Sequence, residues 1–208
     1  MYGLGRRQAP DERDQGHLMS MVLGAVVRPQ KKTWRVWWKG NQGQTPQCVG
    51  YAWYALLRAL PHLQREPDAA TIYHAAQQVD EWPGEDYEGT SVRGGAKALK
   101  AAGKLTAYAW AFTVEDILNW LGTHGPVVLG TNWYQGMFEA DKTGLIVPTG
   151  SLAGGHAYLV LGYDEATKRL LCQNSWGTGW GLRGRFSLHY EDAERLLHED
   201  GEACTPVE

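Results

Sequence analysis

Three short segments of this chain carry residue types that do chemistry together. Gln42-Gly43-Gln44-Thr45-Pro46-Gln47-Cys48 places a thiol six residues after a glutamine. Gly154-Gly155-His156-Ala157-Tyr158-Leu159-Val160-Leu161-Gly162-Tyr163 places an imidazole at the head of an apolar, β-prone run. Asn174-Ser175-Trp176-Gly177-Thr178-Gly179-Trp180-Gly181 places an amide at the start of a turn rich in glycine and tryptophan. These are the parts of nucleophilic acyl transfer: Cys48 as nucleophile, His156 as base, Asn174 as the group that orients it, and Gln42 as a donor to an oxyanion.

Each part needs an element to hold it. Thr45 is a good N-cap and Pro46 a good first helical residue, so a helix is expected to start there. Val49, Ala52, Trp53, Leu56, Leu57 and Leu60 recur at helical spacing, and Pro61 closes the run. Cys48 then lies in the first turn, where free backbone N–H groups and the positive dipole end favour a thiolate. Beside an imidazolium, such thiols have pKa values of roughly 3.5–7.5 instead of about 8.5. A free cysteine met alone reads as a small buried apolar residue, and it is the company of Cys48 that changes its meaning.

The chain has seven histidines. His62, His74, His124, His189 and His198 lie in polar or loop-like contexts, and His17 in an irregular N-terminal stretch. His156 alone stands at an expected loop-to-strand junction, after two glycines that permit close backbone approach. The strand that follows is apolar on both faces, hence central, and a rigid mount for an imidazole. Asn174 follows the strand-like run 169–173, where its amide can accept from the imidazole N–H and fix the tautomer. Trp176 and Trp180 are spaced to cover that hydrogen bond. With ten tryptophans in the chain, no single one is evidence; the ordered combination is.

Together the segments resemble the papain-like cysteine protease family. Its Gln-Gly-x-x-x-x-Cys pattern is met by Gln42, Gly43 and Cys48, and its His-Ala strand by His156-Ala157 with Gly162-Tyr163. Its Asn-Ser-Trp-Gly-x-x-Trp-Gly turn is met by residues 174–181 without a gap. The resemblance implies the same four roles, with the backbone N–H of Cys48 joining Gln42 at the oxyanion. It implies an α+β, two-lobed fold: a helical lobe with the nucleophile helix, a β-rich lobe with the histidine and asparagine, and the active site in the cleft between. It also implies substrate-binding walls at Gly89, Thr90 and Ser91 on the helical side and at Gly130, Asn132, Gly155 and Trp176 opposite. Small residues at Gly130 and Gly155 would leave room for a bulky side chain beside the scissile bond.

Residues 10–14, 88–95 and 125–128 resemble prokaryotic and bacteriophage members in particular. Two departures concern packing: Thr45 and Pro46 stand where familiar members have a cysteine, and Val49-Gly50 replaces the tryptophan after the nucleophile. A third concerns control. Only 41 residues precede Gln42, too few for the family's long inhibitory segment, so the expectation is an enzyme made without a zymogen form.

Composition fits one compact unit or two small lobes. Hydrophobic residues make up 43% and charged residues 21%, ordinary for a globular chain. The net charge of −3 and scattered basic residues, including the Lys31-Lys32, Arg35 and Lys39 group, offer no nucleic-acid groove. The three cysteines form no disulfide framework. With Cys48 reactive, Cys172–Cys204 is the one remaining intramolecular pairing, and reduced core thiols in a reducing compartment are the simpler reading. The apolar run 18–27 is too brief to span a membrane and lacks the pattern of a signal peptide. No CxxC, HExxH or acidic loop points to a metal, and no cofactor is called for. A cytoplasmic monomer of a bacterial or phage-infected cell is expected, with a polypeptide substrate and neither nucleic acid nor membrane as partner.

The expected order is an irregular arm to about Gly43, the Cys48 helix, helices over 69–81, 91–102 and 114–121, and a loop over 82–89. Strands over 126–131, 157–163, 169–173 and 185–189 follow, then a helix over 191–198 and an extended tail. Helices before strands is an α+β order. The whole of 1–208 reads as one unit, with the helical lobe at about 42–110, the β-rich lobe at about 111–208, and arm 1–41 packing across the latter. The function expected is cysteine-type endopeptidase through a Cys48 thioester. An amidase acting on peptidoglycan cross-bridges, an acyl transferase and a non-catalytic binding module are the alternatives such a fold also supports.

Overall fold

Two apolar clusters lie on opposite faces of one antiparallel sheet in the computed structural model, which describes residues 2–82 and 87–207. The strands are β1 (Lys31–Thr33), β2 (Ala107–Ala111), β3 (Val127–Tyr134), β4 (Leu152–Asp164), β5 (Arg169–Gln173), β6 (Arg185–His189) and β7 (Glu202–Val207). Their order is β2-β7-β3-β4-β5-β6, with β1 paired to β4. Side chains alternate across the central strands. Val128, Ala157, Leu159, Leu161 and Cys204 therefore face one cluster, with helices α2 (Cys48–Leu57) and α4 (Val92–Ala101) and Ile72 of α3 (Ala69–Gln77). Val127, Leu129, Tyr158 and Val160 face the other, with α5 (Val114–Thr123) and α6 (Tyr190–His198). The short α1 helix (Met19–Val22) and 3-10 turns at Glu12–Gly16 and Gln135–Phe138 complete the elements.

Local chemistry explains the starts of α3, α4 and α5. Asp68, Ser91 and Thr113 each accept from a backbone N–H of the first turn, at Thr71, Gly94 and Asp116. The Cys48 helix, like α1 and α6, has no such cap. It begins at Cys48, with Gln47 at the N-cap and no side-chain cap, rather than from Thr45 and Pro46. The reason is a locked turn: Thr45 Oγ1 donates to the Gln42 carbonyl (2.7 Å) and Gln42 Nε2 donates to the Thr45 carbonyl (2.6 Å). The residues expected to open the helix are used to fold the loop before it. The helix also ends at Leu57, ahead of Pro61.

Other differences lie in the strands. His156 is not at a loop-to-strand junction but inside β4, opposite Thr131 of β3. The two glycines before it continue the ladder, Gly155 against Asn132 and Gly154 against Trp133. The expected C-terminal tail is β7, mostly buried between β2 and β3. Strands β1 and β2 had no strong local signal, and α3 stops at Gln77 rather than 81. The expected 82–89 loop lies partly outside the described residues. Among the described residues no helix is long and apolar enough to cross a membrane.

Candidate active site

Cys48 is the first residue of α2, and its side chain is fully buried. The backbone amides of Ala157, Val49 and Arg6 lie close enough to favour its thiolate form. Ala157 follows His156 in β4, so helix and sheet bring thiol and imidazole to one place. His156 Nε2 lies 2.8 Å from Asn174 Oδ1. An amide oxygen accepts, so Nε2 carries the proton and Nδ1 holds the lone pair. That Nδ1 is buried and has no hydrogen-bond partner among the described residues. Asn174 is fixed in turn, its N–H donating to the Gly184 carbonyl (2.9 Å) and its Oδ1 accepting from the Ser175 N–H (2.8 Å).

Aromatic rings close this pair off from water. Trp176 and Trp133 each lie 4.7 Å from the His156 ring, and Trp180 backs Trp176 at 5.0 Å. Trp133 had no role in the sequence reading, because only the β3–β4 register reveals it. Gln42 is buried as well. Its Oε1 accepts from Ser175 Oγ (2.5 Å) and its N–H donates to the Ser175 carbonyl (2.8 Å), tying the loop before Cys48 to the Asn174 turn.

The groove beside these groups holds the first residues of the chain, which lie between the lobes and not simply across the β-rich one. Tyr2 stacks on Trp176 at 4.6 Å, and the Gly3 carbonyl accepts from Gln42 Nε2 (3.3 Å) and Trp176 Nε1 (3.2 Å). The Gly5 and Arg6 N–H groups both donate to the Gly155 carbonyl (3.0 Å). Thr90 donates to the Gly5 carbonyl and accepts from the Arg7 N–H, each at 2.9 Å. Gln8 Nε2 donates to Asn132 Oδ1 (3.0 Å). Side chains at Gly89 or Gly155 would overlap the Gly5 and Arg6 carbonyls, and one at Gly5 would overlap the Pro46 carbonyl. Of the seven expected wall residues, Gly89, Thr90, Gly130, Asn132, Gly155 and Trp176 meet this arm. Ser91 instead caps α4, its Oγ accepting from the Gly94 N–H and donating to Glu81.

Two buried ion pairs pin the arm. Arg6 Nε donates to Glu202 Oε2 (2.9 Å), and Arg6 Nη2 also reaches the Asp200 carbonyl. Asp14 pairs with Arg93, whose Nη2 donates to the Ala9 carbonyl (3.1 Å). Neither pair was found from sequence, since the partners are 196 and 79 positions apart and carry no local pattern.

The electrostatics follow from this covering. Burial pushes the Cys48 thiol up to about 12, against the smaller opposite pull of the Ala157, Val49 and Arg6 amides. Burial pushes His156 down to about 4, opposed by its bond to Asn174. Thiol and imidazole are both uncharged under the arm. The acidified thiol expected from a helix N-terminus is therefore not what this arrangement holds, because desolvation exceeds the effect of the amides.

The model of the papain family cysteine protease matches residues 65–204, which include His156 and Asn174 and begin after Gln42 and Cys48. Cathepsin B-like cysteine proteinase 5 of Caenorhabditis elegans is 37% identical over 86 residues, 40% of this chain and 25% of that protein. An uncharacterized peptidase C1-like protein of Acanthamoeba polyphaga mimivirus is 34% identical over 83 residues, 38% of this chain and 27% of that protein. The match thus spans about a quarter of these relatives. Among solved structures, xylellain, a cysteine protease from Xylella fastidiosa, superposes with a TM-score of 0.75 at 20% identity, covering 99% of this chain and 95% of that one. Digestive procathepsin L 3 of Tenebrio molitor superposes with a TM-score of 0.64 at 14% identity, covering 99% of this chain and 84% of that one. These two show a shared fold.

Proposed function

This chain belongs to the papain family of cysteine proteases, and from that premise we propose that it is a cysteine endopeptidase with Cys48 as nucleophile, His156 as base and acid, Asn174 as positioning residue and Gln42 as oxyanion donor. The observation that carries the reading is the His156–Asn174 hydrogen bond, which leaves Nδ1 as the free basic atom in the same pocket as the Cys48 thiol. The thiol proton passes to Nδ1 as the sulfur bonds to a substrate carbonyl carbon. Gln42 Nε2 and the Cys48 N–H receive the oxyanion, a donor of this kind being worth about 2.7–4 kcal/mol of barrier. The C–N bond then breaks, His156 hands the proton to the leaving amine, and water, deprotonated by His156, hydrolyses the thioester and restores the thiol.

The groove cannot hold the arm and a substrate together, so the described arrangement is a closed state that opens before turnover. The Gly3 carbonyl on Gln42 Nε2 supports this reading, since a substrate oxyanion would need the same donor. Three buried free thiols support a reducing, cytoplasmic setting, and the segments at 10–14, 88–95 and 125–128 a prokaryotic or phage source. Hydrolysis of an unfolded protein substrate, assayed with the native chain, Cys48→Ala and His156→Ala, tests the proposal. Cleavage by the native chain alone supports it, and cleavage that survives in Cys48→Ala refutes it.

A further inference from the structure

We infer that the hollow over the β5–β6 ladder is a binding site for a small organic oxyanion, a carboxylate or phosphate group on an apolar body. Arg169 and Arg185 would hold the anionic group, with Ser187 between them. The hollow lies outside the catalytic groove, and the inference stands apart from the endopeptidase reading.

The sheet places these groups. β5 and β6 pair antiparallel, with Leu171 opposite Ser187, Gln173 opposite Arg185 and Arg169 opposite His189. Opposed residues share a face, and successive residues alternate between faces. Leu170, Cys172, Phe186 and Leu188 therefore turn into the core, and Arg169, Leu171, Arg185 and Ser187 turn to the other face. The two arginines thus flank the Leu171–Ser187 pair from opposite ends. Ser187 is fixed by the neighbouring segment, its N–H donating to the Gly144 carbonyl (2.7 Å) and its carbonyl accepting from the Ile146 N–H (3.0 Å). The hollow that remains holds about 330 Å³ and is lined on its apolar side by Leu161, Leu171 and Leu182, a volume suited to a small ligand.

The polar atoms around it are unmet. Ser187 is 5% exposed, and its Oγ has no partner among the described residues. The same holds for the Nε of Arg169 and of Arg185. Native proteins leave few buried polar atoms unpaired, yet three belong to residues lining this one hollow. Arg169 is aimed by a single bond, Nη1 donating to Thr143 Oγ1 (3.0 Å). The Arg185 side chain makes neither a hydrogen bond nor an ion pair among the described residues. Two acids lie nearby, and neither pairs with these arginines. Asp164 pairs with Lys31 (2.6 Å), and Asp141 Oδ1 accepts from the Thr143 hydroxyl and from the Thr143 and Leu145 N–H groups. Beyond the rim, Lys39 Nζ donates to the Arg183 carbonyl (2.7 Å). Desolvation and the Arg185 and Arg183 charges hold that ammonium below the ordinary lysine range. Positive charge is in excess here, so the missing partner is an anion. Guanidinium forks match the planar oxygens of carboxylate and phosphate, and the leucines favour an apolar body behind the charged group.

The test is calorimetric binding to the full chain. Phenyl phosphate and benzoate are the two anionic probes, inorganic phosphate isolates the apolar body, and benzyl alcohol removes the charge. One or both aromatic anions are expected to bind saturably at a single site, and the one that binds tells phosphate from carboxylate. Inorganic phosphate should bind more weakly and benzyl alcohol not at all. Arg169→Gln and Arg185→Gln should each weaken binding by about tenfold or more, with Arg185→Lys, which keeps the charge and loses the fork, falling between. Ser187→Ala should weaken it less. Arg183→Gln removes the same charge outside the hollow and should change binding by less than about threefold. No saturable binding of either aromatic anion would overturn the site. So would inorganic phosphate binding as tightly as phenyl phosphate, or a loss in Arg183→Gln equal to that in Arg185→Gln, which would mark diffuse surface charge.

Discussion

His156 donates through Nε2 to Asn174, so only Nδ1 can take a proton from the thiol. Asn174→Ala removes the acceptor that fixes this tautomer. The expected result is a fall in kcat, smaller than that of His156→Ala, which should approach the roughly 10²–10⁴-fold a positioned acid–base group contributes. Gln42→Ala should lower kcat by about 10²–10³-fold with little change in KM, because its donor acts on charge that exists only in the transition state. Steady-state kinetics on one peptide substrate checks both. Burial also makes His156 a pH sensor of stability. Its pKa falls from 6.5 to about 4 on folding, so the unfolded chain takes up the proton first, and its contribution is present above 6.5 and lost as pH falls toward 4. Glu202, raised from 4.5 to about 7, works the other way, its contribution falling as pH rises through the same window. The two are separated by comparing the native chain with His156→Gln in urea. Their stability difference should shrink by about 3 kcal/mol between pH 7 and 4, and a constant difference would contradict the buried neutral imidazole.

Helix α2 and strand β4 are the elements that set the site, and both could be read from apolar spacing, since each buries its face against a partner. Cys48 opens α2 and His156 lies in β4, while Asn174 follows β5 and Gln42 lies in the loop before α2, so residue type and order, rather than one element, single out the four proposed groups. What escaped depends on distant pairing. Thr45 and Pro46 carry a helix-start signal, but the Gln42 side chain captures Thr45 in a turn. Strand β7 is held by β2 and β3 rather than by its own pattern, and the arm is held by Glu202 and Arg93 far along the chain. Close packing between elements is similarly visible only in three dimensions. Gly95 of α4 faces the Trp53 indole of α2, where an added Cβ would overlap the ring. Gly95→Ala would gain about 1 kcal/mol of helix propensity, yet overpacking costs about 1–3 kcal/mol. A net loss in thermal unfolding is expected, and a gain would show that the two helices can separate freely.

The molecule as a whole is one sheet with a core on each face and a chain start that returns to fill the groove between the lobes. That closure depends on charge pairs with little access to water. The Arg93 and Asp14 side chains are 5% and 8% exposed, and breaking such a pair from one side costs about 3–5 kcal/mol. Arg93→Ala should therefore lower the melting temperature by roughly 6–20 °C, as calorimetry would show. Apolar patterning marks both cores, but the sequence reading put the arm across the β-rich lobe and left open what restrains the activity, because nothing near Arg6 or Asp14 announces their partners.

The most direct test is intact-mass labelling with a thiol alkylator at about pH 5.5, where ordinary thiols are protonated and slow. Three chains are compared: the native one, Gly5→Val/Arg6→Ala, whose arm no longer fits against Pro46 or Glu202, and that variant with Cys48→Ala added. Slow labelling of the native chain, rapid single addition to the arm-displaced variant, and none once Cys48 is removed is the result predicted for a nucleophile held neutral beneath its own N-terminus. Rapid labelling of the native chain, or addition that persists without Cys48, would contradict it.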